Sequence, residues 1–251
     1  MIKSDTVLRT HGGLGNQIFQ VLFGRLFAEQ KCSVLREVHD LRYRHKFPRS
    51  TALARGGEPS AWQSWISAVR VPKVLERTCG RSEGPWQLGR TVYLDGYFQR
   101  AEDYELFPAD MVTRQLQRLA DELAIEPAKL EACLVHFRLG DFFADHKAAR
   151  MHLMNRLAQV QQGSHVMTND EALLQAPEAA EAMAARNAEL VSTEGMAAEQ
   201  VLRTMARYRR IEANDSTLTF WASVLGGSEV TFRDEGLRNC RDFLARRRSG
   251  L

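Results

Sequence analysis

The chain has 251 residues, of which 44% are hydrophobic and 26% are charged, as is usual for a soluble globular protein. No apolar run approaches the roughly 18 residues of a membrane-spanning helix, and the N-terminus lacks the apolar core of a secretory signal. The net charge of +3 is too small to indicate a nucleic-acid partner by itself. The four cysteines form no Cys-x-x-Cys pair, so we expect reduced thiols in a cytoplasmic protein: Cys32, Cys79, Cys133 and Cys240.

Basic residues cluster at two places, despite the small net charge. One group precedes residue 50 and the other ends the chain: Arg42, Arg44, His45, Lys46 and Arg49, then Arg246, Arg247 and Arg248. Solvated loops and a helix C-terminus, where cations complement the helix dipole, explain them simply. The alternative is attraction to anionic ligands or peripheral association with the inner face of a membrane.

The first predicted elements are a strand at 6–9, a glycine-rich turn at 11–17 and a helix from near Asn16 to Gln30. The helix is indicated by apolar residues at helical spacing: Ile18, Val21, Leu22 and Leu26. Strand, turn and helix together resemble the opening unit of a Rossmann-like domain.

The later elements alternate between strands and helices after the poorly patterned segment 48–90. The predicted strands are 91–94, 132–137, 164–167 and 211–213, and the predicted helices are 111–131, 171–186, 199–208, 217–225 and 235–248. This alternation favours parallel sheets with right-handed crossovers. A linker near 108–130 predicts two such sheets that face one another across a cleft.

The segment LVHFRLGDF at 134–142 carries the strongest chemical signal. An apolar strand leads directly into His136, Arg138 and Asp141, and ligands bind at the carboxyl ends of strands in open α/β sheets. The planar donors of Arg138 match two phosphate oxygens at once, so the segment favours a pyrophosphate ligand.

The turn Gly12-Gly13-Leu14-Gly15 has two interpretations. Its glycines let a backbone approach a ligand closely, and the helix behind it offers N–H donors to an anion. A dinucleotide fingerprint needs a further glycine where Ile18 stands, which disfavours an NAD-dependent oxidoreductase. Asn16 and Gln17 suit contacts to a sugar or phosphate, whereas Asn16 could equally be an ordinary N-cap.

Two further strand ends carry polar residues. Asp170 could accept N–H bonds from a guanine edge or cap the following helix. Ser216 and Thr217 begin an apolar helix, and that position suits both a phosphate cradle and an N-cap.

Five segments, taken in order, resemble the glycosyltransferase family 11 α-1,2-fucosyltransferases. They are HGGLGNQIFQ at 11–20, LDGYFQRAEDY at 94–104, VHFRLGDF at 135–142, MTND at 167–170 and NDSTLTFWASVLG at 214–226. The resemblance implies the α/β GT-B architecture, with two facing Rossmann-like domains and a cleft between them. We expect an acceptor-side domain at 1–110, a linker helix at 111–130 and a nucleotide-sugar-binding domain at 131–251, whose last helix could return to the first domain.

The resemblance also implies an inverting, metal-independent transferase without a cofactor, which moves fucose from GDP-fucose to a galactose-containing glycan. Arg138 would hold the β-phosphate, with His136 and Asp170 near the nucleoside. Asp141 is a candidate base, although it could instead orient Arg138. The remaining implied contacts are Ser216 and Thr217 at the phosphates, and Gly13, Gly15, Asn16 and Gln17 from the opposite side of the cleft.

The chain departs from the family pattern at two positions. Leu139 stands where family members commonly have a second arginine, and Asn169 precedes Asp170 where many have paired acids. The insert after Asp141 is also short. A catalytically silent nucleotide-sugar-binding protein is therefore the alternative to an active enzyme.

Overall fold

Two β-sheets organise the computed structural model, which describes residues 4–40, 47–54, 61, 84–88, 91–139 and 145–250. The chain divides into two units, each with its own sheet. The first unit comprises Met1–Ala124 and Asn239–Leu251, and the second comprises Ile125–Arg238.

The first unit is built on a four-stranded sheet. Its elements are β1 (Asp5–Thr10), α1 (Leu14–Gln30), β2 (Val34–His39), β3 (Gly84–Leu88), β4 (Thr91–Asp95), α2 (Ala101–Glu105) and α3 (Ala109–Glu122). The strand order is β2-β1-β4-β3, in which β1 is parallel to β2 and β4 while β3 is antiparallel to β4. The strands predicted at 6–9 and 91–94 and the helix after the glycine-rich turn are confirmed.

Helix α1 is buried along most of its length and packs on β1. Gly24 allows this close approach, because a Cβ there would lie 2.8 Å from a methyl carbon of Leu8. Helix α3 packs on the other side of α1, where Arg25 Nη1 donates to Glu122 Oε2 at 2.7 Å. This ion pair is almost completely buried, so removal of one partner would leave an uncompensated charge.

The second unit has a five-stranded parallel sheet in the order β7-β6-β5-β8-β9. Its elements are β5 (Leu130–Phe137), α4 (His146–Leu157), β6 (His165–Thr168), α5 (Glu171–Leu174), α6 (Pro177–Ala185), β7 (Glu189–Leu190), α7 (Ala198–Ala206), β8 (Tyr208–Ala213), α8 (Thr217–Gly226), β9 (Glu229–Val230) and the start of α9 (Glu235–Arg248). The strands predicted at 132–137, 164–167 and 211–213 are confirmed.

Two predicted helices were too long. The helix predicted at 111–131 ends at Glu122, and the backbone turns away from it at Ala124, which has a left-handed φ of +51°. The helix predicted at 171–186 is divided, because Pro177 is the first residue of α6 and holds Ala176 in an extended conformation. The sequence reading also missed β2 and α4, whose mixed polar sequences hide their period.

Only some residues of the two basic clusters and three of the four cysteines lie among the described residues. Among the described basic residues, Arg49 pairs with Glu37 at 3.0 Å and Arg247 lies over the ring of Phe243. Three cysteines are free thiols: Cys32, Cys133 and Cys240. Cys79 and positions 41–46 lie outside the described residues. Within the described part of the chain, each helix is too short or too polar to cross a bilayer.

Candidate functional site

The carboxyl edge of the second sheet contains a topological switch point. From the central strand β5, the chain continues to β6 and β7 on one side and to β8 and β9 on the other. Ligands of open α/β sheets bind at such points. The strand register pairs His136 with both Met167 and Ala213, so the residues that follow these three strands share one edge. The sequence candidates Arg138, Asp170 and Ser216 are therefore gathered at one place.

His136 lies near the end of β5 and is only 7% exposed. Burial lowers its pKa to about 4, and the charge of Arg138 adds to the effect. Its Nδ1 atom lies 3.4 Å from Thr219 Oγ1 in the first turn of α8. At neutral pH, His136 is therefore an uncharged imidazole that can donate from one nitrogen and accept at the other.

Arg138 follows β5 directly, and its neighbours on both sides are buried. Phe137 and Leu139 belong to the core cluster of the second unit, and Leu139 is 0% exposed. The backbone N–H of Leu139 also donates to Asn169 Oδ1 at 2.8 Å. The half-buried Arg138 side chain thus extends from an anchored segment of backbone, and Asn169 has a structural role there.

Asp170 occupies the N-cap position of α5, but its side chain makes no capping bond within the described residues. Its own backbone N–H donates to Thr168 Oγ1 at 3.1 Å. The adjacent Glu171 carboxylate accepts from the backbone N–H of Thr193 and from Ser192 Oγ, and the Thr193 bond lowers the pKa of Glu171. Glu171 therefore tethers the 192–193 segment.

Helix α8 begins at the same edge without a side-chain cap from its N-cap residue, Ser216. The residue before it, Asp215, does not cap the helix with its carboxylate, which accepts from the backbone N–H groups of Arg233 and Asp234 at 2.8 and 3.2 Å. Ser216 is buried and Thr217 is half-buried. An uncapped helix N-terminus attracts anions through its N–H groups and its dipole.

In the first unit, the glycine-rich turn leads into α1 at Leu14, two residues earlier than predicted. Gly13 is the N-cap, and its carbonyl accepts from the N–H groups of Asn16 and Gln17. Asn16 consequently lies inside the helix, which removes the N-cap interpretation. Its Oδ1 accepts from Gln99 Nε2 at 3.0 Å. Gly12 needs to be glycine, because its φ is +77° and a Cβ would lie 2.8 Å from Asn16 Nδ2.

Gln17 is buried, and its amide is bonded to the backbone at three points. Its Nε2 donates to the carbonyls of Gly12 and Pro48 at 2.9 Å each, and its Oε1 accepts from Ser50 N–H at 2.9 Å. These bonds give Gln17 a structural role in tying the segment after residue 47 to the turn. Gly15 is also buried, in the first turn of α1.

The sequence reading missed a buried charge network at the carboxyl edge of the first sheet. Arg9 near the end of β1 donates to the carboxylates of Asp40 and Asp95, and the Asp95 bond measures 2.8 Å. His11 Nε2 lies 3.7 Å from Asp95 Oδ1. The available signal was an arginine that directly follows the apolar Val7 and Leu8 in a predicted strand, since a buried arginine requires a partner.

The remaining predictions concern a dinucleotide site, the catalytic base and a metal site. Ile18, which stands in place of the third dinucleotide-binding glycine, is fully buried in the core. Asp141, the candidate base, lies outside the described residues. Among the residues that the structure describes, no three His, Cys, Asp or Glu side chains converge to hold a metal ion.

The chain is similar to solved glycosyltransferase structures, whereas no protein-family model and no curated protein matches its sequence. A structure of NodZ alpha-1,6-fucosyltransferase soaked with GDP-fucose matches at TM-score 0.50 and 12% identity, over 94% of this chain and 97% of that one. A mutant of Arabidopsis thaliana FUT1 in complex with GDP matches at 0.50 and 14%, over 92% and 70%. NodZ from Bradyrhizobium matches at 0.47 and 14%, over 90% and 94%. The first two matches show that the chain has the α/β fold of GT-B glycosyltransferases, as predicted.

We expect the burial of His136 to make the protein sensitive to acid. The pKa of His136 is lower in the folded protein than in the unfolded chain, so protonation of this histidine favours unfolding. Its contribution to the free energy of unfolding is therefore fully present above about pH 6.5 and is lost as the pH falls towards 4. The loss should amount to about 3 kcal/mol. Urea unfolding of wild type and His136→Asn at pH 7, 5.5 and 4.5 tests this expectation.

The His136→Asn variant should lose much less stability over this pH range than wild type. The control is His146→Asn, the same change at the exposed first residue of α4, which should keep the wild-type pH dependence. Equal acid sensitivity of wild type and His136→Asn would show that the buried imidazole is not the cause.

We also expect that position 139 cannot accommodate an arginine, the residue common there in the family that the sequence resembles. Leu139→Arg would place an unpaired charge in the core cluster, at a cost of about 3 kcal/mol or more in unfolding free energy. The control Leu139→Met nearly conserves the volume and should cost less than about 1.5 kcal/mol. Wild-type stability of Leu139→Arg, measured by urea unfolding, would disprove this burial.

Proposed function

We propose that this protein is an inverting, metal-independent fucosyltransferase of glycosyltransferase family 11, which transfers fucose from GDP-fucose to a glycan hydroxyl. The proposed linkage is α-1,2 to galactose. The donor would bind at the carboxyl edge of the second sheet. The five sequence segments that resemble family 11 support the family and the linkage, and the fold agrees with them.

The observation that carries the proposal is the position of Arg138 beside the uncapped N-terminus of α8, at the switch point of a parallel sheet. A guanidinium and a helix N-terminus both favour a diphosphate. The carboxylate of Asp170 only accepts hydrogen bonds, which suits the N–H groups of a guanine edge. One solved structure with the same fold was soaked with GDP-fucose and another is in complex with GDP, which supports a guanine nucleotide ligand.

The chemistry requires a group that stabilises the departing nucleotide. The acceptor hydroxyl attacks C1 of fucose on the face opposite GDP and gives up its proton, and the C1–oxygen bond breaks with both electrons remaining on the β-phosphate. The configuration at C1 therefore inverts. Negative charge grows on the phosphate, so a fixed cation stabilises the transition state more than the ground state. Arg138 remains charged throughout, and the N–H groups of α8 would add dipolar donors.

A catalytically silent nucleotide-sugar-binding protein is the second candidate, and the burial of Leu139 favours it. Family members commonly place an arginine at this position, whereas here the side chain belongs to the core cluster. The site consequently has one cation fewer than the family pattern implies. Binding of GDP-fucose without transfer would distinguish this candidate from the enzyme.

We expect Arg138→Ala to lower the turnover number roughly 100-fold or more, which is the effect of removing one transition-state donor. Arg138→Lys should recover little activity, because a single ammonium cannot form the planar fork. The measurement is release of GDP from GDP-fucose in the presence of a galactoside. Arg150→Ala is the control, since that exposed arginine pairs with Glu178 on the helical surface.

Near wild-type turnover by either Arg138 variant would contradict the assigned role. A thermal-shift series with GDP-fucose, GDP, UDP-galactose and NAD should stabilise the wild-type protein with the guanine nucleotides only. Stabilisation without GDP release would favour the silent binding protein.

We expect EDTA to leave fucose transfer intact. Arg138 and the N-terminus of α8 would supply the positive charge that a divalent ion supplies elsewhere, and the sequence contains no Asp-x-Asp motif. Transfer rates measured before and after dialysis against the chelator should agree. A strict requirement for added Mg²⁺ or Mn²⁺ would contradict the mechanism.

A further inference from the structure

The carboxyl edge of the second sheet continues past β6 to the end of β7. The register pairs Val166 of β6 with Leu190 of β7, and the N–H of Val191 donates to the carbonyl of Val166 at 2.8 Å, which extends the contact by one residue. Ser192 and Thr193 come next in the chain, so they lie at the edge where β6 also ends. All of these residues belong to the second unit.

Glu171, the first residue of α5, holds this segment in place. Its carboxylate accepts from Ser192 Oγ at 2.9 Å and from the backbone N–H of Thr193. The Thr193 hydroxyl donates to the carbonyl of Thr168, the last residue of β6, at 3.0 Å. Hydrogen bonds to an ionised carboxylate are shorter and stronger than bonds between neutral groups. The segment 192–193 is therefore fixed to the end of β6 and to the start of α5.

The end of β6 is joined in turn to the end of β5. Asn169 Oδ1 accepts from the backbone N–H of Leu139 at 2.8 Å, and the N–H of Asp170 donates to Thr168 Oγ1 at 3.1 Å. Together with the Thr193 bond to Thr168, these contacts form a connected series along the edge from β5 through β6 to β7. A series of this kind transmits the fixed position of β5 to the segment that follows β7.

The strand order gives this edge a length that suits a nucleoside diphosphate. The N-terminus of α8 follows β8 and Arg138 follows β5, so a diphosphate would lie at the ends of these two strands. Adjacent strands are about 4.8 Å apart, so the ends of β8 and β7, three spacings apart, are separated by about 14 Å. An extended nucleoside diphosphate has a similar length, and its base would reach the ends of β6 and β7.

The carboxylates distinguish the two directions in which the nucleoside could extend. Guanine presents N–H donors, which need acceptors. Towards β9, the carboxylate of Asp215 already accepts from the backbone N–H groups of Arg233 and Asp234. Towards β7, the carboxylate of Asp170 makes no capping bond within the described residues. The direction towards β6 and β7 is therefore favoured for the base.

We infer that Glu171 is a positioning residue for the donor nucleoside, because it holds the segment 192–193 as a wall of the base site at the ends of β6 and β7. The inference rests on the proposed fucosyl transfer and concerns the second unit alone. Asp170 would accept from the base, whereas Glu171 acts through the segment that it tethers. A wall that is already fixed has little motion to lose when the ligand binds.

The first test compares Glu171→Ala with wild type in calorimetric titrations with GDP and with inorganic pyrophosphate. The Kd for GDP should rise about tenfold or more, because the released segment would have to be ordered on binding. The Kd for pyrophosphate, which has no base, should stay near wild type. Equal weakening of both ligands would indicate general damage to the edge and would overturn the inference.

The kinetics should show the same division. The nucleoside lies away from the reacting carbon, so its contacts stabilise the ground state and the transition state alike. Glu171→Ala should therefore raise the KM for GDP-fucose about tenfold and keep kcat within about twofold of wild type. The measurement is GDP release in the presence of a saturating galactoside. A loss in kcat at unchanged KM would contradict a role at the nucleoside.

Two milder variants separate a tether from a direct contact with the base. Glu171→Gln should recover most of the affinity for GDP, because its amide oxygen can still accept from the N–H of Thr193. Ser192→Ala keeps Glu171 and removes one donor, so it should weaken GDP binding about threefold, the scale of one hydrogen bond. It tests the same tether even if Glu171→Ala does not fold. A Glu171→Gln variant as weak as Glu171→Ala would overturn the positioning role, since the charge itself would then be required.

The matched control is Glu178→Ala, the same change on α6 in the same unit. The Glu178 carboxylate is exposed and accepts from Arg150 at 2.6 Å on the helical surface. This variant should bind GDP as wild type does, and an equal loss in both alanine variants would overturn the assignment of Glu171.

The outcomes separate this inference from the proposed function. If wild type and Glu171→Ala bind GDP equally well, the inference fails and the proposed function stands. If wild type binds neither GDP nor GDP-fucose, the proposed function fails and the inference fails with it.

Discussion

The arrangement of the carboxyl edge of the second sheet depends on the burial of the residues that flank Arg138. Phe137 and Leu139 are fixed in the core of the second unit, and the N–H of Leu139 is bonded to Asn169. A long, flexible side chain loses entropy when it binds, and that loss is smaller if its backbone is already fixed. The same burial determines what surrounds the guanidinium. His136 lies deep enough to remain neutral at pH 7, so it does not repel Arg138.

The charged groups at the carboxyl edges of the two sheets are arranged differently. At the first edge, the guanidinium of Arg9 is buried between the carboxylates of Asp40 and Asp95. At the second edge, Asp215 is bonded to backbone N–H groups, and Ser216 places no side-chain cap on α8. The N–H groups and the dipole of this helix N-terminus favour an anion.

The strands that precede Arg138, Asp170 and Ser216 could be predicted from the sequence, and parallel strands bring their carboxyl ends to one edge. The partners of Arg9 could not be predicted in this way. Its partners lie 31 and 86 residues away, and only the strand order β2-β1-β4 brings them together. The sequence suggested a ligand contact for Gln17, yet the structure uses its amide to hold a neighbouring segment of backbone. A polar residue after a glycine-rich turn can serve either purpose, and the difference depends on distant chain segments.

Burial also explains the two positions at which the chain differs from the glycosyltransferase family that its sequence resembles. An arginine at position 139 would need a partner or an exposed path, and neither is compatible with a side chain enclosed by the core cluster. Asn169 fits this arrangement, because its neutral oxygen accepts from Leu139 N–H and adds no charge beside Asp170. Leu139 and Asn169 are thus mutually consistent. They supply one apolar contact and one hydrogen bond, and Arg138 is the cation that immediately follows β5.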